Sequence, residues 1–212
     1  MKDRALLLCA FAAGLASPVA ADVITESNTA PLEWGFGTTA PVTQGEATLF
    51  PSLITIAGAT GVITDVNVNI MEGQHTWSDD LEITLRSPSG TVVTLMQDAG
   101  GLDDIGGDLI FDDSAAELIA DNEAGALVVG TYRPSVYGTA DTTAPASDGS
   151  LLSLFNGENA NGNWELYVYD DAFSDTGSFA EGWEITIVTE IPAPASATLL
   201  GIGGLVAVRR RR

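Results

Sequence analysis

Between His75 and Thr91 the chain reads HTWSDDLEITLRSPSGT. A histidine, aspartates at 79 and 80, and serines at 78, 87 and 89 share that short stretch. A hydroxyl, an imidazole and a carboxylate are the parts of a serine hydrolase. His75 is the only histidine in the 212 residues, so any such mechanism has to use it. A second set of residues is acidic. QDAGGLDDIGGDLIFDD carries Asp98, Asp103, Asp104, Asp108, Asp112 and Asp113, and DDAFSDTG carries Asp170, Asp171 and Asp175. Calcium takes about six to eight hard oxygen ligands from loops able to fold round it, and Asp/Gly-rich segments supply them. The expected calcium ligands are Asp98, Asp103, Asp104 and Asp112. EF-hand spacing is absent, and the competing reading is carboxylates left solvated on a very acidic surface.

Charge narrows the partners. Of 29 Asp and Glu, 28 lie between Asp22 and Glu190, where Arg86 and Arg133 are the only Lys or Arg. Such a surface repels phosphate backbones, which excludes nucleic acid as a partner.

The elements that position these residues read as strands. VITDVNVNI sets Val66, Val68 and Ile70 against Asp65, Asn67 and Asn69. LEITLR sets Leu81, Ile83 and Leu85 against Glu82, Thr84 and Arg86. NWELYVYD and GWEITIV place Trp164, Leu166 and Val168, and Trp183, Ile185 and Ile187, each on one face. Period two marks half-buried strands. Ser87-Pro88-Ser89-Gly90, Asn161-Gly162-Asn163 and Asp175-Thr176-Gly177 supply the turns. Only SAAELIADN, from Ser114 to Asn122, suits a short helix. The expected fold is all-β, a jelly-roll-like antiparallel β-sandwich. Trp164 and Trp183 belong to its core, and Tyr132, Tyr137 and Tyr167 are candidates for an exposed carbohydrate- or protein-binding face.

The ends carry sorting features. MKDRALLLCAFAAGLASPVAA has a basic start, an apolar run and small residues before a cut after Ala21, the pattern of a secretory signal peptide. Cys9 lies inside it, so a mature chain would have no thiol for disulfide, zinc or nucleophile. From Pro194 to Val208 the tail is apolar and uncharged, roughly 22 Å as a helix against the roughly 30 Å of a bilayer core. Arg209 to Arg212 follow it. This tail resembles the PEP-CTERM sorting signal of bacterial exported proteins, which implies recognition by an exosortase and release or attachment at the envelope or extracellular matrix. Ala193 stands where that pattern has glutamate. A plain C-terminal membrane anchor is the alternative.

From about Leu53 to Thr189 the chain resembles the P domain (P/Homo B domain) of proprotein convertases. The matching pieces run in order: GATGVITDVNVNI, HTWSDDLEITLRSPSGT, LMQDAGG, LIFDDSA, GTYRP and LLSLFNGENANGNWELYVYDDAFSDTGSFAEGWEITI. The common Gly-Asp-Leu appears as Asp79-Asp80-Leu81. The resemblance implies a sandwich that aids folding, stability or substrate handling of an attached subtilisin-like enzyme, whose own catalytic motifs have no counterpart here. Serines at strand ends and turns suit backbone bonding. His75 and Asp80 are accordingly expected to be structural.

The expected layout is a signal peptide (1–21), an extension or edge strand (22–47), the P domain (48–189) and a sorting or anchor segment (190–212). The expected function is a non-catalytic exported module binding a protein or an extracellular polysaccharide. The alternative is an accessory domain that stabilises or targets a separate serine endopeptidase.

Overall fold

The structure, a computed structural model, describes residues 21–34, 44–121 and 127–191. The expected signal peptide with its Cys9, and the tail from Pro192 onward, lie outside the described residues. Among the described residues no helix is long and apolar enough to cross a membrane.

Residues Ala21–Ile191 form one unit of two sheets. In the first, β1 (Ala21–Asn28) is an edge strand along β13 (Trp183–Glu190), which pairs with the long β5 (Val62–His75). The end of β5 pairs with β12 (Gly177–Phe179), whose other side takes β2 (Leu32–Trp34). The far side of β5 takes β8 (Asp104–Phe111), and β8 takes β9 (Leu127–Tyr132). In the second sheet, β11 (Gly162–Asp170) lies between β6 (Leu81–Arg86) on one side and β4 (Ser52–Ile56) with β3 (Gly45–Glu46) on the other. Beyond β6 come β7 (Val92–Gln97) and β10 (Ser135–Val136).

The alternating residues face each other across the gap between sheets. Val66, Val68, Ile70, Leu166, Val168, Ile185 and Ile187 are buried there with Trp164, Trp183, Phe111, Phe155 and Phe179. The indoles of Trp164 and Trp183 each have a bond for the N–H, which offsets the cost of burying a polar group; the Trp34 N–H, also buried, has none. Trp164 Nε1 donates to Ala160 O at 3.0 Å, and Trp183 Nε1 donates to Ser52 Oγ at 3.0 Å. Phe155 meets Trp164 edge-on at 5.0 Å.

The structure departs from the sequence reading in three places. The sheets are mixed, not wholly antiparallel, because β8/β9 and β7/β10 are parallel pairs. A parallel neighbour requires a crossover connection of about a dozen residues or more, and the sequence between the end of β8 at Phe111 and the start of β9 at Leu127 is long enough for one. The segment from Ser114 to Asp121 forms no helix. It has one buried apolar anchor, Ile119, and its backbone is taken up by the chain around Arg133–Tyr137. A helix this short is not stable without a packed face. Third, Glu82 and Thr84, on the outward face of β6, are buried. Residues 138–148 strap across that face. Glu82 Oε1 accepts the Asp141 N–H at 2.6 Å, Gln97 Nε2 donates to Tyr137 O at 2.7 Å, and Val92 N–H donates to Asp148 Oδ2 at 2.9 Å.

Candidate functional site: the acidic end of the sandwich

His75 ends β5 and Asp170 ends β11, so the two sheets bring them together across 95 positions of sequence. His75 is 2% exposed and Asp170 0%. Nε2 lies 3.4 Å from Asp170 Oδ2. Nδ1 lies 2.7 Å from Trp77 O and 3.1 Å from Trp77 N. Trp34 packs over the ring with centroids 5.7 Å apart. Both imidazole nitrogens are thus occupied by a carboxylate and by main chain. Gly177, opposite in β12, is held to glycine by close approach, since a Cβ there would collide with the His75 ring and with Gln74 O. The hydroxyls take no part in this set. Ser78 is buried with no hydrogen bond to its Oγ, and Ser87 and Ser89 bond each other at 3.1 Å in the β6–β7 turn.

The expected calcium ligands do not lie together. Asp104 and Asp112 flank β8 at opposite ends, roughly 25 Å apart at strand rise. Asp112 caps its own turn through the Ser114 N–H at 2.7 Å. Asp112 and Asp113 also face Asp65, whose carboxyl is raised first by burial and then by those two charges. Asp103 is buried, and its carbonyl accepts the Ser78 N–H at 2.7 Å. Only Asp98 joins a larger group.

That group forms where one end of the second sheet meets the strap. β6 begins, and β7 and β11 end, on the same side. Asp80 and Glu82 therefore come alongside Asp98 and Asp171, and the strap adds Asp141. Asp98 has a positive φ of 46°, and a Cβ on Gly138 would collide with its carboxylate, so strap and strand end are in close contact. Burial raises the carboxyl of Asp171 to about 7, helped next by the charges of Asp98, Asp80, Glu82 and Asp141. Burial raises Asp80 to about 6, with Asp170 and Asp175 adding to it. Asp98 and Glu82 are raised as well, again chiefly by burial. Of this group, Glu82 and Asp141 carry no signal in the sequence. Their proximity follows from strand register and from the strap.

Of the tyrosines, Tyr137 is structural, with its hydroxyl donating to Ile119 O at 2.9 Å, and Tyr132 packs against the core. Tyr167 packs edge-on against Phe50 and donates to Glu165 at 2.8 Å.

From residue 63 to residue 187 the chain matches the model of the proprotein convertase P-domain. The chain belongs to the proprotein convertase P-domain family. His75, Asp80, Glu82, Asp98, Asp141, Asp170 and Asp171 all fall inside the match. Among solved structures the chain is similar to one described as the Aeromonas sobria serine protease in complex with its chaperone, at 16% identity and a TM-score of 0.37. The likeness covers 82% of this chain but 27% of that one. No curated protein sequence matches.

Proposed function

We propose that this P-domain chain is a non-catalytic exported module that works by binding. The observation that carries the reading is the bonding of His75. A serine hydrolase needs an imidazole nitrogen turned to a hydroxyl. Here one nitrogen faces Asp170 and the other faces the Trp77 main chain. The tail supports a place at the envelope or in the extracellular matrix, reached through a membrane segment that an exosortase would process. A protein or a matrix polysaccharide is the partner in this reading.

Family membership favours a second reading, an accessory domain that stabilises or targets a separate subtilisin-like protease. Purified chain incubated with casein, with and without a serine-reactive inhibitor, tests the non-catalytic reading. Inhibitor-sensitive cleavage that is lost in His75→Ala would overturn it. Capture of a secreted protease by the immobilised chain selects the second reading. Retention on matrix polysaccharide selects the first.

A further inference from the structure

Thr84 in β6 and Thr94 in β7 stand directly opposite each other on the outward face of the second sheet. Threonines paired in this way commonly bond hydroxyl to hydroxyl, as Thr25 and Thr186 do at 3.1 Å on the first sheet. Thr84 and Thr94 do not. They are 3% and 7% exposed, and among the described residues no hydrogen bond reaches either hydroxyl. A buried hydroxyl without a partner is destabilising. Both threonines line a cleft of about 250 Å³ between the sheet and the 138–148 strap. Glu82 and Gln97, 2% and 6% exposed, line the same wall. Of the six strap residues on the other wall, four are alanine or proline, so that wall is largely hydrocarbon.

We propose that this cleft binds one neutral sugar ring at the end of a saccharide chain. The inference rests on the reading of the chain as a binding module and narrows its polysaccharide partner. Hydroxyl, amide and carboxyl groups together both donate and accept, which matches the O–H groups of a sugar. An ammonium or guanidinium only donates, and Glu82 is the one carboxylate in the wall to receive it. The hydrocarbon wall faces what a pyranose also has, a ring face of C–H groups, and such pairing of an apolar lining with a few placed polar groups is the usual make-up of a ligand cleft. Clefts for drug-sized molecules run to about 300–1,000 Å³, so this one has room for a single ring and not for an oligosaccharide. The strap covers it on one side, which suits a chain end. Glu82, on a body of 28 acids and two arginines, repels uronic and sulfated sugars.

The test uses the full chain, isotope-labelled for amide NMR. The probes are the methyl glycosides of glucose, mannose, galactose and N-acetylglucosamine, with methyl glucuronide as the anionic control. At least one neutral glycoside should shift the amides of residues 82–84, 94–97 and 140–147 saturably, and the glucuronide should not. The double variant Thr84→Val, Thr94→Val removes the two hydroxyls and little else. Because they have no partner in the fold, its Tm should equal or exceed the parent's, while glycoside affinity falls at least about tenfold. Ala144→Leu fills the cleft from the strap and should lose binding with the sheet intact. Thr25→Val, on the other sheet, should bind as the parent does. The absence of a saturable shift with every neutral glycoside would overturn the proposal, as would full binding by both cleft variants. Shifts of the same amides with an arginine peptide but with no glycoside would overturn it too, and would assign the cleft to a basic protein segment. Retention on matrix polysaccharide that survives the double variant would overturn the cleft site while leaving the module reading intact.

Discussion

Replacing His75 by alanine separates a structural histidine from a catalytic one. The ring is buried between Trp34 and the end of β11, and it is the side-chain partner of Asp170, which is 0% exposed. Without it, the Asp170 carboxylate keeps only the Ala172 N–H at 3.2 Å. Removing one partner of a buried pair of this kind costs about 3–5 kcal/mol. At about 2–4 °C per kcal/mol for a domain this size, Tm should fall by roughly 6–20 °C. The second half of the cycle is Asp170→Asn, which removes the charge that His75→Ala strands. In that background His75→Ala should cost less, with a coupling of roughly 1–3 kcal/mol. Scanning calorimetry of the four proteins in one buffer gives both numbers. A His75→Ala protein whose Tm stays within about 2 °C of the parent would refute the structural role. Additive losses would refute the pairing with Asp170.

Protonation gives a second test. Burial raises the carboxyls of Asp80 and Asp171 to about 6 and about 7 from an ordinary 3.8. The folded state then holds their protons more tightly than the unfolded chain does. The stabilisation is complete below about pH 4 and is lost as pH rises through 6 to 7. Three units correspond to about 4 kcal/mol, and partial exposure of Asp171 reduces that to about 2 kcal/mol. Asp171→Asn should therefore raise Tm by roughly 4–8 °C at pH 8 and by much less at pH 5; an equal gain at both pH values would count against the raised carboxyl. Gly177→Ala should destabilise by about 1–3 kcal/mol, since the new Cβ meets backbone and packed rings, and an unchanged denaturant midpoint would contradict that contact. Arg86→Ala breaks an ion pair whose side chains are 42% and 24% exposed; it should cost under about 1 kcal/mol in urea, less still in high salt.

Period-two alternation was enough to read the interior of the sandwich, because a strand with one buried face announces that face locally. Val66, Val68 and Ile70, or Trp183, Ile185 and Ile187, needed no knowledge of their neighbours. Glu82 and Thr84 were misleading for the opposite reason. Their outward position is correct, but a strap whose Asp141 lies 59 residues from Glu82 in sequence covers that side of the sheet. The acidic end failed to show for a related reason. Nearness in sequence suggested grouping Asp98 with Asp103, Asp104 and Asp112, yet a strand of eight residues carries its two ends far apart. The residues that do come together sit at the ends of β6, β7 and β11, and only the pairing register reveals that. Asp170 and His75 are separated by both the sequence and the gap between sheets.

Scarcity of basic residues ties these observations together. A body with 28 acids and two arginines can place most carboxylates in water, where repulsion is screened. It cannot do so at the one end where strands converge beneath the strap. Glu82 points outward because Leu81 and Ile83 beside it are core residues and strand geometry fixes the alternate position, and the strap buries it there. The strap then closes over like charges.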